Sequence, residues 1–234
     1  MTSAKHDLRL HEQILLLALR DEHGGVESRA GMLSLALGGA LLAELSLDGH
    51  IDVGADKKKL VDAADRSLTG DVLLDEALGR VKQAKRRRSA SRWVSNFAGM
   101  RRLRHRVAEG LCRRGVLRDS EQKILLLFTR KLYPTIDPAP ERALVAALRR
   151  AVLDDGEVAD PRTAMLVALG HATGLLRVHL DRKTLRARKA RLERFTNGDL
   201  VGGATRDAVV ATQVAVTAAV TAAVVASTTA ATSG

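Results

Sequence analysis

Fourteen lysines and arginines lie within residues 80–118 against a single acid, Glu109. Guanidinium groups are permanently charged planar forks that bind phosphate or carboxylate oxygens two at a time, so such a segment is equipped to hold an anion. Two stretches dominate it. KRRRSASR at residues 85–92 reads as a basic connection between elements, and RRLRHR at residues 101–106 opens a helix expected over residues 100–114. At 100° per residue, Leu103, Val107 and Leu111 form an apolar stripe. Arg101 and Arg104 fall on one flank of it, and Arg102, Arg106 and Arg113 on the other. Net charge is +11 for the whole chain, so this segment carries more than all of it and the rest is near neutral. A charge concentrated in this way points to nucleic acid, an anionic membrane or a phosphorylated ligand.

Other chemistries find less support. Asp71, Asp75 and Glu76 have helical spacing, but no His or Cys converges on them, and helix capping and surface charge account for them. The seven histidines are scattered. Cys112 sits among arginines that lower a thiol pKa, yet no partner base is evident. There is no Walker loop, no GxGxxG after a strand, no GxSxG and no HExxH. No enzyme activity, cofactor, metal or small-molecule substrate is expected.

The elements that carry the arginines follow from composition. Hydrophobic residues make up 46% of the chain and aromatics 2%, so the core is built from Leu, Val and Ala, of which Leu and Ala favour helices. The organising stretch is MLSLALGGALLAELSL at residues 32–47. It is apolar on nearly every face, with Glu44 as its one charge, and too short for the ~20 residues a bilayer needs. Its small residues Gly38, Gly39, Ala40 and Ala43 predict close helix neighbours. Further helices are expected over residues 6–20, over 67–84 with Thr69 as cap, and over 141–153, 161–180 and 182–195. A small hairpin is expected from residues 50–53 and 59–61. A second has arms at 115–118 and 123–129 and a turn at 119–122. Its arm ILLLF, apolar on both sides, suits self-association, so a homo-oligomer through residues 115–130 is expected. Trp93 and Phe97 share a helix face. The single cysteine precludes an internal disulfide and fits a reducing compartment, and MTSAKHDLRL has no apolar core of a signal peptide.

Several segments together resemble the Golgi phosphoprotein 3 (GPP34-type) family. They are ILLLALRDEHG at residues 14–24, GGALLAELSLDGHIDV at 38–53, LTGDVLLDEAL at 68–78, RRLRHRVAEGLCRRGVL at 101–117 and DPRTAMLVALGHA at 160–172. The resemblance implies a mainly α fold: one helical domain around a central hydrophobic helix, with one or two small β-hairpins. That domain is placed at residues 1–203, with an Ala/Val/Thr helix and tail at 204–234 packed on it. The resemblance also implies a peripheral membrane protein of the cytoplasm that binds anionic phospholipid head groups as its partner. In a eukaryote it would work on the cytosolic face of the Golgi.

The head group in that family is phosphatidylinositol 4-phosphate. Its pocket is formed by a tryptophan, an arginine on the central helix and two arginines three apart. The last two match Arg101 and Arg104, the tryptophan position falls on Arg29, and the central arginine falls on Gly38. The head-group set on this chain is therefore Arg101, Arg104, Arg29 and Arg102. Membrane affinity is expected to survive better than lipid specificity. Two other classes stay open on residues alone: a helical nucleic-acid-binding protein and a protein-binding scaffold whose cargo is unspecified.

Overall fold

With Leu, Val and Ala in place of aromatic rings, close helix packing has to supply the core. The computed structural model describes residues 8–19, 25–26, 32–54, 58–64, 67–124, 128–158, 160–200 and 206–232. Helices α1 (Leu10–Ala18) and α2 (Leu33–Leu47) precede strands β1 (Ile51–Val53) and β2 (Leu60–Ala63). Then come α3 (Val72–Lys82), β3 (Arg88–Ser89), α4 (Ala90–Ala98) and α5 (Leu103–Arg113). A hairpin of β4 (Ser120–Ile124) and β5 (Phe128–Leu132) leads to α6 (Ala139–Leu153), α7 (Pro161–Ala172) and a 3₁₀ turn at Leu175–Val178. Helices α8 (Arg182–Ala187), α9 (Lys189–Thr196) and α10 (Arg206–Thr232) complete the described chain. The expected fold class is found: mainly α, with two small antiparallel sheets among the described residues.

The centre is α2, which packs against α1, α4, α7 and α10. A helix apolar on every face needs neighbours on every face. Glycine lets them come close. A Cβ at Gly38 would press on the Val94 carbonyl oxygen of α4 and stand 2.8 Å from the Ala98 nitrogen. One at Gly39 would meet Val220 of α10 at 2.5 Å. Glu44 is buried and accepts hydrogen bonds from the Leu10 backbone N–H (3.0 Å) and from Arg162 of α7 (2.9 Å). Asp48, just past the end of α2, takes Arg162 (2.9 Å) and Arg9 (3.1 Å). Two carboxylates thus tie the starts of α1 and α7 to the end of α2.

Several expectations shift in detail. Helix α1 is buried on both sides, His11 and Glu12 included, rather than amphipathic. Thr69 does not cap α3; the Asp71 carboxylate accepts from Leu73 N and Leu74 N, while Thr69 bonds Asp75. Val72, the first residue of α3, is exposed. The helix expected over 161–180 stops at Ala172, because Gly174 turns left-handed at φ +76°. The one expected over 182–195 divides at Arg188.

The first hairpin forms, and Arg88–Ser89 adds a third strand to it, so the basic connection is partly structured. In the second hairpin Ser120–Ile124, which spans most of the expected turn, is itself a strand, paired with Phe128–Leu132. Residues 125–127 of its apolar arm lie outside the described residues. Buried Val216, Ala219, Val220 and Ala223 face α10 toward the core. No helix among the described residues is long and apolar enough to cross a membrane.

Candidate functional site

Helix α5 begins later than the wheel assumed. Arg101 and Arg102 form the turn before it, and Arg102 is left-handed at φ +55°, a conformation uncommon for a residue with a Cβ. The helical flank shared by Arg101 and Arg104 is therefore replaced by a corner. Arg101 and Arg102 are exposed and Arg104 is half-buried. Leu103, Val107 and Leu111 are buried, as the stripe predicted.

The arginines divide by what they touch. Arg106 pairs with Glu76 of α3 at 2.6 Å, and Arg80 pairs with the same carboxylate at 2.9 Å and with Asn96 of α4 at 3.1 Å. Burial works against the Glu76 charge, but the hydrogen bonds from Arg106 and Arg80 outweigh it and hold that carboxyl below its usual range. Arg114 binds buried Glu12 at 2.8 Å. These three arginines clamp helices together. Arg102 reaches Glu109 only at 3.7 Å, and Arg101 and Arg104 meet no carboxylate among the described residues.

His105 links this corner to the second hairpin. Its Nε2 lies 3.2 Å from Arg104 Nη2 and its Nδ1 2.9 Å from the Tyr133 hydroxyl. Arginine only donates, so Nε2 accepts and Nδ1–H donates to Tyr133. Burial, then the charges of Arg104 and Arg102, push its pKa below the usual value; Lys131 adds to this and Glu109 opposes it. Cys112 behaves contrary to expectation. Burial, then Asp119 and Glu109, raise its thiol pKa against the opposing effect of Arg113 and Lys131.

A second basic surface was not anticipated from the sequence. A groove of about 590 Å³ runs along the C-terminal end of α3, β3 and α4, with Arg80, Lys85, Arg88, Arg92 and Trp93 in its walls. The Arg88 guanidinium lies 5.3 Å from the Trp93 ring centroid, and Trp93 packs on Phe97 at 5.5 Å. The available signal was the RxxxRW spacing of Arg88, Arg92 and Trp93, which the junction of β3 and the first turn of α4 brings together.

Residues 10–212 match the profile of the family described as Golgi phosphoprotein 3 (GPP34). The chain belongs to this family. Vacuolar protein sorting-associated protein 74 of Schizosaccharomyces pombe is 29% identical over 206 residues, covering 74% of this chain and 60% of the relative. The chain therefore spans less than two thirds of that relative's length. Within the GPP34 frame, three of the four expected head-group residues are among the described ones. Arg101, Arg102 and Arg104 share the corner before α5, whereas Arg29 lies outside the described residues. Gly38, where the resembled pocket carries arginine, is closed over by α4.

Proposed function

We propose that this GPP34 protein holds anionic phospholipid head groups at the corner before α5, docking peripherally on a membrane. The observation that carries the reading is an uncapped helix start bordered by Arg101 and Arg104, which meet no carboxylate among the described residues. Arg102 occupies the N-cap position, no side chain caps α5, and no acid stands in its first turn. The Arg104 and His105 backbone N–H groups have no acceptor among the described residues. A helix N-terminus attracts anions, and Arg101 and Arg104 extend that attraction outward. Each cation near an anionic surface contributes about 1 kcal/mol. Arg101→Ala with Arg104→Ala is therefore expected to reduce flotation with phosphoinositide-containing liposomes by about tenfold or more. Unchanged flotation by a variant with parental circular dichroism rejects this site. Retention on duplex DNA in place of liposomes transfers the arginines to nucleic acid.

Lipid preference is read as weak. A missing charge-assisted hydrogen bond costs roughly 1.5–3 kcal/mol, and the enclosed Gly38 cannot supply the one that an arginine makes in the resembled pocket. Phosphatidylinositol 4-phosphate and phosphatidylserine vesicles matched for charge are the comparison to make in the same assay.

Binding at this corner is expected to strengthen with acid. In the free protein the low His105 pKa favours neutral imidazole, whose Nε2 occupies Arg104. A bound anion offsets the Arg104 and Arg102 charges and raises that pKa, so protons are taken up on binding and affinity grows as pH falls through about 6.5. Protonation of Nε2 also releases Arg104 toward the ligand. The gain is read as the ratio of affinities on the acid and the neutral side of the imidazole range. His105→Gln removes the gain; an identical pH profile in that variant rejects the coupling.

A further inference from the structure

The basic groove along α3, β3 and α4 has none of Arg101, Arg102 and Arg104 in its walls, and only part of its charge is used in holding the fold together. Arg80 is held by Glu76 and Asn96, and Arg87 by Asp62. Lys85, Arg86, Arg88 and Arg92 have no carboxylate partner among the described residues, and no acid lines the groove. Like charges gathered around one concavity raise the local potential and draw in an anion. Two features beyond charge shape the ligand. The start of α4 is open: Ser89 stands at the N-cap without a side-chain cap bond, and the first turn holds no acid. Trp93, 2% exposed, forms part of the wall, and its indole Nε1–H is buried with no hydrogen-bond acceptor among the described residues. A buried donor left unpaired is costly. An incoming oxyanion supplies the acceptor.

We propose that this groove is a second anion site, taking a phosphate monoester or diphosphate group between Arg88, Arg92 and the start of α4. The Arg88 guanidinium, stacked over the Trp93 ring, donates to the phosphate oxygens from the groove wall. The phosphate is carried either by a lipid head group or by a free small molecule. The site stands whether or not the corner before α5 binds membrane.

Trp93 is the chain's only tryptophan, so its emission reports on this groove alone. Titration of the full chain with sodium pyrophosphate, at ionic strength held constant with sodium chloride, is expected to change that emission saturably. Arg88→Gln with Arg92→Gln, both exposed positions, raises the midpoint about tenfold or more. Arg101→Ala with Arg104→Ala leaves it within about twofold. Phosphatidylcholine vesicles with about 10 mol% phosphatidylinositol monophosphate separate the sources. Saturation at lower total phosphate than with pyrophosphate assigns a lipid head group, and saturation at equal or higher phosphate assigns a free one. An emission that follows ionic strength alone, or a midpoint unmoved in the Arg88/Arg92 variant, overturns the site. Saturation by duplex DNA without any response to pyrophosphate overturns it in favour of a polymer track.

Discussion

Glu44→Ala is expected to lower the unfolding free energy by about 3 kcal/mol, the lower end of what removing one partner of a buried ion pair costs. The lower end applies because Arg162 is 37% exposed and keeps Asp48 at 2.9 Å. Most of the loss comes from the other side of the carboxylate. The Leu10 N–H, 3.0 Å from Glu44 Oε2 inside the core, loses its acceptor where no water replaces it. For a domain of this size the thermal midpoint should fall by about 6–12 °C. Glu44→Gln retains a carbonyl acceptor for Leu10 and should lose about half as much. A Glu44→Ala midpoint within about 2 °C of the parent, by differential scanning calorimetry, shows that this network carries no stability.

Gly38→Arg, the substitution that restores the arginine of the resembled pocket, is expected to abolish cooperative folding rather than sharpen lipid choice. Even one added carbon meets the Val94 carbonyl and the Ala98 nitrogen, both backbone atoms that cannot rotate away. Overpacking a well-filled interior costs about 1–3 kcal/mol, so Gly38→Ala should melt about 4–10 °C lower. The arginine adds a long chain and a charge to the same closed space. Circular dichroism melts of the two variants decide the point. A Gly38→Arg protein with a parental melt shows that α4 can yield and that an arginine pocket is recoverable.

The parts of the fold that were legible are those whose cause is local. Residues 32–47 declared a buried helix because no polar face interrupts them, and Leu33–Leu47 follows within one residue. Trp93 and Phe97 paired as their spacing requires. Illegible were features that depend on distant chain. Arg88–Ser89 is a two-residue strand that exists only because Leu60 and Val61 lie beside it. The left-handed turn at Arg102 carries no glycine to announce it.

The site divides in the same way. Arg101 and Arg104 were singled out because one short segment resembles a motif. The groove escaped because Arg80 meets Arg88 and Arg92 only after α3 folds back across β3. Gly38 was read as a residue that admits a close helix neighbour, but which helix it meets, α4 through Val94 and Ala98, was not legible because that contact is distant along the chain.

The packing of Gly39 against Val220 has a consequence for how the chain is made. The two positions are about 180 residues apart, and ribosomes add roughly 5–20 residues per second. For about 10–40 seconds the newborn polypeptide carries its most apolar helix without the cover that α10 later provides. Contacts so distant along the chain also slow closure of the core. During synthesis α2 is the segment most in need of a chaperone's protection, and the arrival of α10 ends that need.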